Sequence, residues 1–178
     1  RGLSITGSAG GDGGIYVDGN NNVIVGNFIG VGPGGTGGGG NGIGVMLYNG
    51  TGNRIGDALP EDRNLITGNT NNGIRLACCN GATRTEIRNN LIGGDNAGEA
   101  TISNGAAGIE LDVPGATVAD NVIRFNGGYG IYVKAGDNQL SQNALAGNAT
   151  RGICNLAVTP VTTLRMRSRP STCRPLGQ

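Results

Sequence analysis

The chain has 178 residues, carries a formal net charge of +1, and contains 37 glycines but no tryptophan and no histidine. Aromatic residues are only 3%, so a core has to be built from aliphatic side chains, and the near-neutral charge gives no reason to expect a nucleic-acid partner. No apolar run approaches the roughly 18 residues of a membrane-spanning helix, so no membrane span is expected.

Leu3-Ser4-Ile5 reads as the last strand of an incomplete coil. The sequence starts at Arg1 and shows no signal peptide, so a processed chain or a fragment of a longer protein is expected. Gly14-Ile15-Tyr16-Val17 then opens the first full coil, followed by short aliphatic segments at Val23-Ile24 and Phe28-Ile29. The pattern returns from Gly44, Gly73, Gly108, Gly130 and Gly152, and the last three of these glycines are 22 residues apart. One beat is three short strands and three turns, with aliphatics at alternate positions, as in Ile109 and Leu111 around Glu110. A fixed period of strands without helix signals predicts an all-β solenoid of about six coils, three strands per coil and a basal period of 22 residues. Longer turns are expected at 30–42, 58–62, 77–84 and 93–107, each between strands.

The chain holds 22 asparagines and 37 glycines, and many of them recur at the corners. Both residue types tolerate left-handed backbone. Asn22, Asn53 and Asn138 share one corner, and Asn27, Asn64, Asn90, Asn121 and Asn143 share another, where amides stacked along the axis are expected to hydrogen-bond. The repeat is placed in residues 1–155. Residues 156–178 leave it, hold four arginines and no acid, and are expected to form a C-terminal cap or a disordered basic arm. Cys154, outward on the last coil, is the expected disulfide partner of Cys173 in that tail, while Cys78 and Cys79 are read as free thiols.

The pattern N-x-[IL]-x-x-N-x-[IL] followed by G-I-x-[LV], over about residues 14–155, resembles the right-handed parallel β-helix repeat family. Its best-known members are pectate-lyase-like polysaccharide enzymes and bacterial surface proteins. The resemblance implies a right-handed single-stranded parallel β-helix, an extracellular or cell-surface location, and a substrate face on the first strand of each coil.

The outward positions of that strand read Tyr16, Met46, Arg75, Glu110, Tyr132 and Cys154, and two residues on Asp18, Tyr48, Ala77, Asp112 and Lys134. With Tyr129 nearby, Tyr16, Tyr48, Tyr129 and Tyr132 are the expected ligand-binding residues, because sugar rings stack on aromatics. A lyase reading assigns Arg75, Glu110, Asp112 and Lys134 to catalysis, with Glu110 and Asp112 holding Ca²⁺ and Arg75 or Lys134 removing a proton. A hydrolase reading uses Glu110 and Asp112 as the carboxylate pair. The structural alternative is a charge ladder, Arg75 over Glu110 and Asp112 over Lys134, and it is preferred, since no histidine base exists and fold alone confers no activity. Acidic turns at Asp57, Glu61, Asp62 and at Asp95, Asn96, Glu99 match no defined calcium loop. Gly30-Val31-Gly32-Pro33-Gly34-Gly35 fits G-x-G-x-x-G but is not followed by a helix, so no nucleotide site is expected.

The expected role is therefore a secreted or surface scaffold or adhesin that contacts glycans through the first-strand face, with no required cofactor. The alternatives are a Ca²⁺-dependent polysaccharide lyase or hydrolase on the same face, and a structural subunit that self-associates through its open coil ends.

Overall fold

The structure is a computed structural model. It describes all residues except 12, 38, 81, 96, 98–101, 158–161, 165–172 and 174–178, and leaves the side chains of 78–80 and 162–164 undescribed.

Alternating aliphatic and polar residues on short segments, with a sharp corner between segments, leave one way to bury the aliphatics: coil the chain and stack the coils. The molecule is a right-handed parallel β-helix of three six-stranded sheets. The first-strand sheet contains Gly13–Asp18, Ile43–Asn49, Ile74–Asn80, Ile109–Leu111, Tyr129–Val133 and Arg151–Asn155. The second holds Val23–Ile24, Arg54–Ile55, Glu86–Arg88, Thr117–Ala119, Gln139–Ser141 and Thr162–Leu164. The third holds Ser4–Ile5, Phe28–Ile29, Leu65–Ile66, Leu91–Ile92, Val122–Arg124 and Ala144–Ala146. Ser4–Ile5 pairs with Phe28–Ile29, as its reading as the end of a coil required.

Register stacks like on like. Ile15, Val45, Ile74, Ile109, Ile131 and Ile153 form one inward column, and Ile29, Ile66, Ile92, Ile123 and Leu145 another. Most of these are fully buried in one continuous core. Each such side chain contributes about 1.5–3 kcal/mol by leaving water.

At many corners a residue with left-handed backbone comes first and a buried asparagine second. Asn89, Asp120, Phe125, Asp137 and Gln142 take φ between +52° and +60° immediately before Asn90, Asn121, Asn126, Asn138 and Asn143. Asn64 departs from this pattern, since Arg63 before it is extended at φ −61°, so the ladder does not require the left-handed step. The ladder residue itself is selected for its amide.

In the ladder at the third-strand corner, Asn27, Asn64, Asn90 and Asn121 each donate Nδ2 to Oδ1 of the asparagine one coil on, ending at Asn143, at 2.9–3.3 Å. The same Oδ1 atoms accept the backbone N–H of the preceding rung. A second complete ladder, not anticipated from the sequence, runs Asn41, Asn69, Asn104, Asn126, Asn148 at 2.8–3.1 Å. The expected Asn22–Asn53–Asn138 column is interrupted. Asn22 donates to Asn53, but Thr85 and Ala116 occupy the next two positions. Thr85 turns its hydroxyl to Ala82 O instead, and Ala116 offers only its backbone N–H, which Asn138 Oδ1 accepts.

The segment expected as a turn at 77–84 begins as strand: Ile74–Asn80 continues through Ala77, and Asn80 pairs with Asn49 after a register shift. The repeat also runs one strand past residue 155, where Thr162–Leu164 pairs in parallel with Gln139–Ser141. Val31, from the 30–42 insertion, and Ile102, from the 93–107 insertion, pack with Leu65 and Leu91 on the outer face of the third-strand sheet. At these residues the insertions lean on the third-strand sheet. No helix among the described residues is long and apolar enough to cross a membrane.

Candidate functional site

Along the first-strand sheet the outward column keeps the expected register: Tyr16 beside Met46, then Arg75, Glu110, Tyr132 and Cys154. The second outward column does not. A register shift after Val17 sets Asp18 opposite Asn49 and takes Tyr48 out of line, and its ring stacks on Tyr16 with centroids 5.8 Å apart. The pair is exposed, Tyr16 at 46% and Tyr48 at 38%. The other two tyrosines form a separate pair on coil five, Tyr129 and Tyr132, with centroids 5.0 Å apart. Four coils separate Tyr16 from Tyr132, about 19 Å at the usual strand spacing.

Between the two pairs lies the charged cluster, and its centre is Glu110. Although it sits on the outward side of its strand, Glu110 is only 8% exposed. Lys134 Nζ donates to its Oε1 at 2.6 Å, Asn72 Nδ2 donates to its Oε2 at 2.9 Å, and Arg75 Nε lies 3.5 Å from Oε1. The Arg75 contact is in ion-pair range but has no hydrogen-bond geometry, so Arg75 Nε makes no hydrogen bond. Lys134 also reaches Asp112 at 3.9 Å and sits 5.1 Å from the Tyr132 ring centroid.

The expected ladder paired Lys134 with Asp112. Lys134 instead bonds Glu110 and touches Asp112 only loosely, because its four-carbon stem reaches back to the better-shielded carboxylate. Asn72, just before the third-coil strand, was not foreseen as a partner. Its only sequence signal is that it precedes Gly73 at the corner.

The calcium reading needs two carboxylates open to a cation and further oxygen ligands. Here both oxygens of Glu110 are engaged, and an ammonium group lies between Glu110 and Asp112. No group of three or more His, Cys, Asp or Glu suited to a metal exists among the described residues. The donor set therefore does not fit Ca²⁺. The hydrolase reading meets the same obstacle, since Glu110 and Asp112 share one lysine instead of flanking an open space. Two carboxylates of the 57–62 turn are also engaged: Asp57 pairs with Arg54 at 3.1 Å and Asp62 is buried against Arg1, while Asn89 Nδ2 donates to Asp57 O and Leu59 O. In the remaining turn, Asn96 and Glu99 lie outside the described residues.

At the far end of the column, Cys154 and Cys173 are joined as a disulfide with Cα atoms 5.2 Å apart. The side chains of Cys78 and Cys79 lie outside the described set. A depression of about 170 Å³ on the third-strand face, floored by Phe28, Leu65 and Leu91 and rimmed by Pro60 and Arg63, was not anticipated and is small for a polymer.

No protein-family model, no curated protein and no solved structure matches the chain.

Proposed function

We propose that this β-helix is a binding scaffold, secreted or displayed at a cell surface, that contacts glycans through its first-strand face and does not turn them over. The observation that carries the reading is the division of labour on that face. Its carboxylates and cations neutralise one another around Glu110, whereas Tyr16 and Tyr48 remain exposed. Stacked phenol rings offer a flat apolar surface with a polar edge, the chemistry a pyranose ring requires. A rigid ladder-locked sheet presents that surface with little ordering cost on binding. The disulfide between Cys154 and Cys173 is consistent with an oxidising compartment.

The resemblance to pectate-lyase-like proteins keeps a lyase as the competing account, with Arg75, Glu110, Asp112 and Lys134 as its catalytic residues and calcium as its cofactor. It requires the Glu110 cluster to open on binding substrate. A glycan array with and without Ca²⁺, scored for both retention and product release, separates the two. Retention without product, weakened in both Tyr16→Ala and Tyr132→Ala, supports the scaffold. Unsaturated sugar products that appear only with Ca²⁺ would replace it with the lyase.

A further inference from the structure

We propose that Asn49 is a self-modifying site, where the chain converts an amide of its first-strand face into a carboxylate without an enzyme. The sequence holds six Asn-Gly pairs, beginning at Asn41, Asn49, Asn72, Asn80, Asn104 and Asn126. At such a pair the glycine nitrogen is free to attack the asparagine Cγ, because no Cβ shields it.

The fold separates these pairs into two kinds. Gly42, Gly73, Gly105 and Gly127 give their N–H groups across coils to Ser8 O, Ala107 O, Asn69 O and Asn104 O, at 2.7–3.0 Å. The asparagines before them are buried and their amides are engaged. Asn41, Asn104 and Asn126 are ladder rungs, and Asn72 holds Glu110. Attack in these four must first break buried hydrogen bonds of the coil stack. The side chain of Asn80 and all of Gly81 lie outside the described residues.

Asn49 ends the strand Ile43–Asn49 and is half-buried. The Gly50 N–H donates to Asn49 Oδ1 itself, at 2.9 Å, so the side-chain carbonyl is folded back on the nitrogen that attacks it. Groups held in such proximity start part-way to reaction. Gly50 has φ +100°, and a Cβ there would collide with Gly19 O, so this position admits only glycine and its nitrogen stays unshielded. Gly50 N bonds Asn49 Cγ as the Cγ–Nδ2 bond breaks, and the amide hydrogen leaves with Nδ2 as ammonia. Water then opens the cyclic imide, at Cγ to leave aspartate or at the backbone carbonyl to leave isoaspartate. No electrons are transferred.

The product forms beside the exposed tyrosines. Asn49 pairs with Asp18 and follows Tyr48, whose ring stacks on Tyr16. A carboxylate at position 49 meets Asp18 as a like charge, and isoaspartate adds a backbone atom next to Tyr48. Both disturb the tyrosine pair, so glycan retention falls as the chain ages; this effect rests on the glycan-binding reading, whereas the conversion does not.

The test incubates the full chain in warm, mildly alkaline buffer and maps it by peptide mass spectrometry with isoaspartate detection. Asn49 should convert at least about tenfold faster than Asn41, Asn72, Asn104 and Asn126, and in urea all five should convert at similar rates. Retention on the glycan array should fall with conversion. An aged Asn49→Gln chain should keep it, because the longer side chain closes the imide poorly, and a fresh Asn49→Asp chain should already retain less than the parent. An unconverted Asn49, or buried pairs that convert as fast in the folded chain, would overturn the site. Conversion with unchanged retention would overturn only its effect on binding. A fresh parent that retains no glycan would overturn the glycan reading, and the peptide map would still decide the site.

Discussion

Removing one interior rung of an asparagine ladder should cost a large share of the stability of the whole solenoid. In Asn121, fully buried, Oδ1 accepts the backbone N–H of Asn90 at 2.9 Å and its Nδ2 at 3.0 Å, while Nδ2 donates to Ile87 O at 2.8 Å and to Asn143 Oδ1 at 3.0 Å. Asn121→Ala strands two donors of Asn90 where water cannot reach, at about 1–3 kcal/mol each. Asn143 Oδ1 keeps the Asn121 backbone N–H, so the other side of the rung loses less. The expected loss is about 3–5 kcal/mol, against a typical domain total of about 5–15 kcal/mol. Asn22→Ala provides the comparison: it removes an exposed donor at the end of an interrupted column and should cost about 1 kcal/mol or less. Urea denaturation followed by far-ultraviolet circular dichroism measures both as shifts in midpoint at constant slope. A loss in Asn121→Ala below about 1 kcal/mol, or equal to that of Asn22→Ala, would refute the view that buried amide satisfaction holds the coils together.

Four further outcomes follow from the same geometry. Gln142 has φ +54°, which costs a non-glycine residue about 1–2 kcal/mol, and glycine gives back about half of that in chain entropy, so Gln142→Gly should raise the melting temperature slightly; a fall would mean that the Gln142 side chain has a packing role. Gly147→Ala should lower it, because a Cβ there would lie 2.5 Å from Phe125 Cδ1. Glu110→Gln should destabilise by about 1–2 kcal/mol, discounted for the partial exposure of Arg75 and Lys134, and should leave glycan retention on the array intact; loss of retention would place Glu110 in the binding contact. Cys154→Ser should remove up to about 3 kcal/mol and, in hydrogen exchange, release protection first at Thr162–Leu164 and its partner Gln139–Ser141; unchanged exchange there would show that strand pairing alone holds the tail.

Much of the architecture was legible because a solenoid is a nearly one-dimensional object. Each strand meets the same strand one period away, so Ile109, Ile131 and Ile153 announce their contacts by spacing alone. The Asn27-to-Asn143 ladder was visible for the same reason. The Asn41-to-Asn148 ladder carried an equally regular signal, an asparagine four residues before Gly73, Gly108, Gly130 and Gly152, but it follows the longest insertions, which hide the period upstream. At Asn41 the interval shrinks to three, and only the stacked backbone shows that this residue occupies the same corner.

The sequence by itself determined the period, the three-strand coil, the inward columns and which first-strand residues point outward. These depend on alternation and spacing, and both are local. Only the tertiary structure decided which acid receives Lys134, that Tyr48 leaves its column to stack on Tyr16, and that Val31 and Ile102 fold over the third-strand sheet. Those outcomes depend on register shifts, on the reach of long side chains across coils and on where insertions find apolar surface to cover. None of these is periodic, so none is written in the repeat.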